Sequence, residues 1–247
     1  MHQDERGSIT TLDYNTGMRP REYTIIYTRE GFSRGGDLHP TKQHAVLLEG
    51  KATWTEKLEG NGFNTSAHRL YTDFVINERI PHFFTAEKDS VIVTWLEGDF
   101  KQYLDDGLRD YIASRNASVR SNGHVPASMK VQDDGKGSVT TLTYNEEQGL
   151  KEYRIAYTNE GFSRGGHSHP ERQHVVLLDG EVAWTAQKSA TNLQIETFSQ
   201  LPCKIVEIPE WVPHFYRAKR PSLMISWQEG MKFEEYADGY MKSLMRK

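Results

Sequence analysis

One heptapeptide occurs twice in this chain. It stands first as Glu30-Gly31-Phe32-Ser33-Arg34-Gly35-Gly36 and returns unchanged as Glu160-Gly161-Phe162-Ser163-Arg164-Gly165-Gly166. Between positions 23 and 50, roughly two thirds of the residues are identical to those of the second copy. The repeat has the length of a whole domain, which is too long for a solenoid unit. The sequence therefore predicts a gene duplication that produced two copies of one domain.

The match extends outward from this heptapeptide. Gln43-His44 corresponds to Gln173-His174, and Pro81-His82 corresponds to Pro213-His214. The stretch 116–130 is polar, irregular and without a counterpart, which is typical of a linker. We therefore predict an N-terminal domain over 1–115, a linker over 116–130 and a C-terminal domain over 131–247.

Each copy consists mainly of short segments rich in aromatic and β-branched residues, such as 23–28 and 153–158. Glu49-Gly50 and Asp179-Gly180 are typical of hairpin turns, because glycine accepts the positive φ that such turns require. Many short strands with turns between them predict an all-β barrel or sandwich. Apolar residues at helical spacing over 100–112 and 233–245 predict a helix that closes each copy and packs on its barrel.

Composition limits the classes of function. The chain has 247 residues, 36% hydrophobic and 26% charged, as expected of a globular protein. Its formal charge of -4 predicts no nucleic-acid partner, and no apolar run reaches the ~20 residues needed to span a membrane. Cys203 is the single cysteine, so no intrachain disulfide forms, and we expect a cytoplasmic protein. Barrels of this type often pair through edge strands, which makes a homodimer possible.

Histidines cluster in the second copy, and this clustering is the main functional signal. His167 and His169 are two residues apart, so on a strand both side chains project from the same face. A third ligand from the next strand and a fourth from a distant strand would complete a pocket for one divalent ion. Imidazoles with an amide or carboxylate oxygen suit Zn, Fe, Ni or Mn.

These motifs resemble those of the cupin superfamily, and the resemblance covers both halves. His167-x-His169, three residues, Gln173, six residues and Gly180 match the first cupin motif, and Pro209 with His214 matches the second. The resemblance implies two tandem jelly-roll β-barrels. It also implies four metal ligands: His167, His169, Gln173 and His214.

The second copy departs from the cupin pattern at one ligand position. Gln173 replaces the more usual Glu, which lowers the negative charge of the site and leaves the identity of the metal open. A register slip of one residue would make His174 the ligand instead, because it reverses the face that each side chain meets.

The first copy has a weaker version of the same site. The corresponding residues are Asp37, His39, Gln43 and His82, so an aspartate replaces the first histidine. Aspartate is itself a metal ligand and favours a harder ion. This site either binds a metal ion or is a relic that now serves packing.

Three further residues of the second copy are candidates for catalysis. Arg164 directly precedes the glycine pair, where a guanidinium can hold a carboxylate or phosphate in bidentate fashion or stabilise the turn. Tyr157 lies on an aromatic face that can line the pocket. Glu207 can act as a general base beside a metal-bound substrate.

Two groups of cupins suggest the reaction. Arg164-Gly165-Gly166-His167-Ser168-His169 is similar to the signature of nucleotide-sugar 3,4-ketoisomerases, which work without metal, and His-x-His-Pro followed by Gln is similar to metal-dependent cupins that process sugar acids. Both imply a small-molecule substrate and proton transfer. Our leading hypothesis is a metal-dependent isomerase or lyase acting on a sugar or related hydroxy-carbonyl acid. The alternatives are a cupin dioxygenase, a metal-free nucleotide-sugar ketoisomerase and a non-catalytic ligand-binding cupin.

Overall fold

The computed structural model describes most of the chain as two compact units, Met1–Val125 and Pro126–Lys247. The described residues are 1–15, 20–60, 62–99, 101–119, 127–144, 151–189, 192–199, 205–230 and 233–246. Cys203 and part of the predicted linker lie outside them. No helix among the described residues is long and apolar enough to cross a membrane.

The two units repeat the same elements in the same order. The first contains β1 His2–Asp4, β2 Gly7–Asn15, β3 Pro20–Thr28, β4 Ser33–Leu38, β5 Gln43–Lys57, β6 Phe63–Ala67, β7 Asp73–Ile76, β8 His82–Leu96, β9 Tyr103–Leu104 and α1 Asp106–Asn116. The second contains β10 Ala127–Asp133, β11 Gly137–Tyr144, β12 Lys151–Thr158, β13 Ser163–Ser168, β14 Gln173–Ser189, β15 Asn192–Ser199, β16 Ile205–Ile208, β17 His214–Gln228, β18 Tyr236–Ala237 and α2 Gly239–Met245. Strand β10 begins inside the segment 116–130.

Each unit is an antiparallel sheet that curls into a barrel. In the first, the strand order is β1-β2-β3-β8-β4-β9, with β5 pairing β6, β7 and β8. The second repeats this order as β10-β11-β12-β17-β13-β18, with β14 pairing β15, β16 and β17. The interior is filled by apolar side chains of the long strands, among them Val175, Trp184 and Met224. The predicted all-β fold, two tandem domains each closed by a helix, is confirmed.

The long strands bend where hairpin turns are predicted, and those predictions are wrong. Asp179-Gly180 lies inside β14, and the register of β14 against β17 shifts between Leu177 and Asp179 and twice more before Val182. Gly180 has a φ of 90°, and a Cβ there would stand 2.3 Å from the carbonyl oxygen of Pro221. The glycine therefore forms a β-bulge, which bends one strand so that it serves both sides of the barrel. Glu49-Gly50 does the same in β5.

Both helices begin later than the apolar spacing predicts. The Asp105 carboxylate accepts a 2.8 Å hydrogen bond from the amide of Leu108, and the Asp238 carboxylate accepts one of 2.8 Å from Met241. These aspartates are N-caps, so the preceding residues stay extended and pair with β4 and β13 as β9 and β18. The helices predicted over 100–112 and 233–245 are thus present, but they begin only at Asp106 and Gly239.

Candidate metal centre

Three histidines of the second unit converge inside the barrel. His167 on β13 is the cross-strand partner of His214 at the start of β17, and His169 follows β13 directly. One ligand nitrogen from each ring lies within 4.8 Å of the others. The ring centroids are 4.6 to 5.2 Å apart. The spacing of two residues along β13 and the pairing with β17 thus bring together imidazoles that are distant in sequence.

A bulge in β13 sets the direction of the first histidine. The register against β17 shifts between Gly165 and His167. Gly165 has a φ of 105°, and a Cβ there would lie 2.8 Å from the carbonyl oxygen of His214. Only glycine permits this close approach of the two strands. The glycine pair before His167 is therefore part of the site's architecture.

A main-chain carbonyl fixes the tautomer of His214. Its Nδ1 donates to the carbonyl of Val212 at 3.0 Å, and because a carbonyl oxygen only accepts, the proton is on Nδ1 and the lone pair is on Nε2. Nδ1 of His169 contacts the carbonyl of Glu234 and, at 2.7 Å, the side-chain nitrogen of Gln228. Among the described residues, the buried Nε2 of His169 has no hydrogen-bond partner. This arrangement is typical of histidines that bind metals.

Gln173 shares the interior face with these rings. Its Oε1 is buried without a hydrogen-bond partner among the described residues, and its side chain interacts with that of His169. His174 lies on the opposite face of β14, stacked on Trp227 with ring centroids 5.3 Å apart. Its Nε2 contacts Glu229 at 3.0 Å. Of the two register alternatives, the structure thus places Gln173 beside the histidines.

Burial keeps the three imidazoles neutral. It lowers the pKa of His214 to about 3 and, together with the neighbouring His169, it lowers the pKa of His167 to about 3. Burial also lowers the pKa of His169. The ring of Trp184 stacks on His214, with centroids 5.2 Å apart, and adds to this desolvation. Three neutral imidazoles beside an amide oxygen fit a divalent metal ion.

His167 and His214 border a cavity of about 290 Å³. The Arg154 guanidinium lies over the ring of Phe233, 3.8 Å from its centroid, and Nη1 donates a 2.9 Å hydrogen bond to Oε2 of Glu235. The same carboxylate oxygen is 3.5 Å from Nδ1 of His167. The cavity therefore combines the metal donors with the ion pair of Arg154 and Glu235.

Sequence reasoning missed Arg154 and Glu235. Arg154 alternates along β12 with Tyr153 and Tyr157, so it faces the other side of the sheet, and this alternation was a usable signal. Glu235 had no such signal, because its position depends on the pairing of β18 with β13.

The three predicted catalytic residues occupy different places. Tyr157 lies on the face of β12 opposite to the cavity, and burial raises its pKa. Glu207 is exposed and is the cross-strand partner of His174, so it lies on the outer face as well. The structure brings neither of them to the histidines.

Arg164 does line the cavity, but an internal carboxylate binds its guanidinium. Nη1 and Nη2 donate hydrogen bonds of 2.6 and 2.9 Å to Asp134. Nε donates to the Thr158 hydroxyl at 2.9 Å. Arg34 and Asp4 form the corresponding pair in the first unit, at 2.7 Å.

The first unit holds the corresponding cluster of Asp37, His39 and His82. The Asp37 carboxylate lies 3.6 Å from Nε2 of His39 and 3.8 Å from Nε2 of His82. Nδ1 of His39 donates to the carbonyl of Lys101, and Nδ1 of His82 donates to that of Ile80. Burial lowers the pKa of His82. This donor set also fits a divalent ion, with a carboxylate in place of one imidazole.

Two details complete the first site. Oε1 of Gln43 is buried and has no hydrogen-bond partner among the described residues, as for Gln173. The site opens into a cavity of about 470 Å³, and Trp54 stacks on His82 with centroids 4.9 Å apart. The two copies thus share the geometry of the site and differ in its charge.

Comparison with known proteins finds matches among solved structures only. No protein-family model and no curated protein sequence matches the chain. Among solved structures, it resembles the formate complex of Lactobacillus farciminis oxalate decarboxylase at 15% identity, covering 96% of this chain and 86% of that one, with a TM-score of 0.42. Oxalate decarboxylase from Bacillus subtilis at pH 4.6 is 12% identical over 96% of this chain and 76% of that one, with a TM-score of 0.44.

Proposed function

We propose that this chain is a metal-dependent enzyme whose second copy catalyses proton transfer on a sugar acid or a related hydroxy-carbonyl acid. The observation that carries the proposal is the placement of Arg154 and Glu235 beside His167. A guanidinium, a carboxylate and the metal donors face one cavity of about 290 Å³, which suits a small, oxygen-rich, anionic substrate.

The metal donors and the guanidinium have separate roles. A divalent ion held by His167, His169, Gln173 and His214 supplies a Lewis acid for a carbonyl oxygen. The Arg154 guanidinium donates from Nε to Glu152 and from Nη1 to Glu235, and the N–H groups that remain bind the substrate carboxylate. Binding energy from that carboxylate then orients the reacting carbons near the metal donors.

Glu235 moves the proton. Its carboxylate is 3.5 Å from Nδ1 of His167 and is held by Arg154 at 2.9 Å. The other carboxylate at the cavity wall, among the described residues, is Asp134, which Arg164 binds with two hydrogen bonds. Glu235 is therefore the carboxylate left to take a proton from the substrate carbon. A positioned general base contributes ~10²–10⁴-fold to the rate.

The same observations favour metal ligands over metal-free acid-base histidines. With pKa values of about 3, His167 and His214 hold no extra proton to give at neutral pH. An imidazole that donates Nδ1–H to the main chain and presents Nε2 is suited to bind an ion. These features speak for the metal-dependent hypothesis and against the metal-free ketoisomerase.

The test is solvent deuterium exchange at carbon. The full chain is stripped with chelator, reloaded separately with Zn, Fe, Ni or Mn, and incubated in D₂O with a panel of hydroxy acids, keto acids and sugar acids. We expect one substrate to gain deuterium next to its carbonyl only when metal is present. Glu235→Gln lowers this exchange by ~10²-fold or more without loss of bound metal. Glu207→Gln, the matched change on the outer face, leaves it unchanged.

Three results would contradict the proposal. Exchange that survives chelation would favour the metal-free ketoisomerase. Turnover that consumes O₂ without deuterium incorporation would favour the dioxygenase. Saturable binding of a panel compound with neither exchange nor turnover under any metal would favour a binding module.

A further inference from the structure

Two guanidinium groups at the wall of the first cavity share one carboxylate. Arg6 and Arg34 both line this cavity of about 470 Å³. Nε and Nη2 of Arg6 donate hydrogen bonds of 2.9 and 2.6 Å to Oδ2 of Asp4, and Nη2 of Arg34 donates one of 2.7 Å to Oδ1. Burial lowers the pKa of Arg34 to about 10, so its guanidinium keeps its charge at neutral pH. Because one carboxylate balances one cation, this group of three side chains has one positive charge in excess.

The second unit uses the corresponding guanidinium internally. Arg164 donates to both carboxylate oxygens of Asp134, and its Nε donates to the Thr158 hydroxyl at 2.9 Å. The Nε of Arg34, by contrast, is buried and has no hydrogen-bond partner among the described residues. Lys136 stands where the first unit has Arg6, and an ammonium offers no planar pair of donors. Two neighbouring guanidiniums with uncommitted N–H groups are therefore a feature of the first cavity.

The carboxylates at the wall of the first cavity do not neutralise these guanidiniums. Among the described residues they are Asp37 and Glu22. Asp37 lies among the metal donors. Glu22 is seven positions along β3 from Arg29, whose amide donates to the carbonyl of Arg6, so the Glu22 backbone is ~20 Å from that end of the strand. An anion can therefore bind at Arg6 without meeting an unpaired carboxylate.

The rest of the wall suits a polyhydroxylated carbon skeleton. Three hydroxyl groups and three large apolar side chains line the cavity as well, namely Thr11, Thr24, Thr94, Ile9, Ile26 and Phe84. Threonine hydroxyls both donate and accept hydrogen bonds, as sugar hydroxyls do, and the apolar side chains can cover the carbon atoms. This cavity is also larger than that of the second unit, at about 470 against about 290 Å³.

We infer that the cavity of the first unit binds a phosphate monoester of a sugar or similar polyol. The phosphate lies between Arg6 and Arg34, because guanidiniums bind phosphate oxygens through paired N–H groups. A phosphate monoester carries nearly two negative charges and three acceptor oxygens, so it can engage both guanidiniums at once. The sugar hydroxyls then face the threonines. The inference does not depend on the reaction proposed for the second unit.

Calorimetric titration of the full chain with glucose 6-phosphate tests the inference. We expect one molecule to bind per chain with a dissociation constant of about 1 mM or lower at ~50 mM salt, weakening as salt is raised. Arg6→Gln weakens binding by about tenfold or more, since charge-assisted hydrogen bonds to the phosphate are lost. Lys136→Gln, the matched change in the second unit, leaves binding unchanged. Elemental analysis checks that both variants keep the metal content of the unmodified chain.

Three further probes separate a site for a phosphate ester from other sites. Glucose lacks the phosphate and inorganic phosphate lacks the carbon skeleton, so we expect each to bind at least about tenfold more weakly than the ester. Gluconate replaces the phosphate by a carboxylate, and we expect its binding to be insensitive to Arg6→Gln.

Four outcomes would overturn the inference. The first two are equal affinity of the ester for the unmodified and Arg6→Gln chains, and no binding at about 10 mM. Gluconate that binds as tightly and is weakened equally by Arg6→Gln would show a general anion site, and inorganic phosphate that binds as tightly would assign the site to the free ion. Weakening by Lys136→Gln in place of Arg6→Gln would assign the ester to the second cavity.

Discussion

The two metal centres of this chain use the same scaffold with different charge. In the first copy Asp37 brings a carboxylate to two imidazoles, whereas in the second His167 makes three imidazoles. The cavities differ in the same way, because Thr24 and Gln102 of the first stand where the second has Arg154 and Glu235. The first centre thus has a carboxylate among its metal donors, whereas the donors of the second are imidazoles and an amide.

This difference shows which positions are free to change after duplication. The positions retained in both copies build the site: the glycine pair, the tryptophan stacked on the last histidine and the bulge glycine of the long strand. The exchanged positions face the cavities. Chemistry can therefore change by single substitutions while the barrel stays the same.

Removing one histidine from either copy should have the largest effect, because metal binding should be lost at one centre and retained at the other. We expect His214→Ala to lower metal content from about two ions to about one per chain and to weaken the second centre by ~100-fold, since a buried ligand is lost. His82→Ala should do the same to the first centre only. Elemental analysis after dialysis against limiting metal measures both, with circular dichroism as the control for folding. Full metal content in both variants would contradict the assignment.

Making the first centre resemble the second should change its metal preference. Asp37→His removes the carboxylate and leaves three imidazoles, so preference for Zn or Ni over Mn should rise by about tenfold in the first centre. Competitive metal titration of the double variant Asp37→His, His214→Ala measures the first centre alone, because the second has lost a ligand. His214→Ala without the exchange is the matched control. An unchanged preference would mean that the carboxylate does not bind the ion.

A smaller contrast lies on the outer faces of the barrels. His44 contacts Asp73 at 3.0 Å and Glu97 at 3.1 Å, whereas Ile205 stands in the second copy where the first has Asp73. The hydrogen bond with Asp73 raises the pKa of His44 above its ordinary value of 6.5, despite burial. The folded state then holds this proton more tightly than the unfolded state. Its stabilisation is fully present below pH 6.5 and disappears as pH rises through the raised pKa.

His44→Gln should therefore lower the melting temperature more at pH 5.5 than at pH 9. The expected difference is a few degrees, because ~1 kcal/mol shifts the midpoint of a domain this size by about 4 °C. Scanning calorimetry at both pH values measures it. Asp73→Asn, which removes the main cause of the raised pKa, should show the same pH dependence. An equal loss at both pH values would contradict the ion-pair account.

The sequence alone determined the duplication, the fold and the two sets of clustered residues. Repeated motifs with fixed spacing can be recognised directly in the sequence. Two residues separated by two positions on a strand also point to the same face. The bulges were invisible to this reasoning, because a glycine with positive φ serves a turn and a bulge equally well. Only the register of β14 against β17 distinguishes the two.

Which face of a strand lines the cavity depended on tertiary structure. Tyr153 and Ile155 are fully buried although they face away from the cavity, whereas Arg154 between them faces it. The hydrophobic pattern of this strand therefore suggests the wrong face as the cavity wall. The sequence therefore pointed to Tyr157 and Glu207, while folding placed Arg154 and Glu235 at the metal donors. A sheet that is apolar on its outer face gives no sequence signal for which side is the interior. That choice is made when the sheet curls and distant strands such as β18 pair with it.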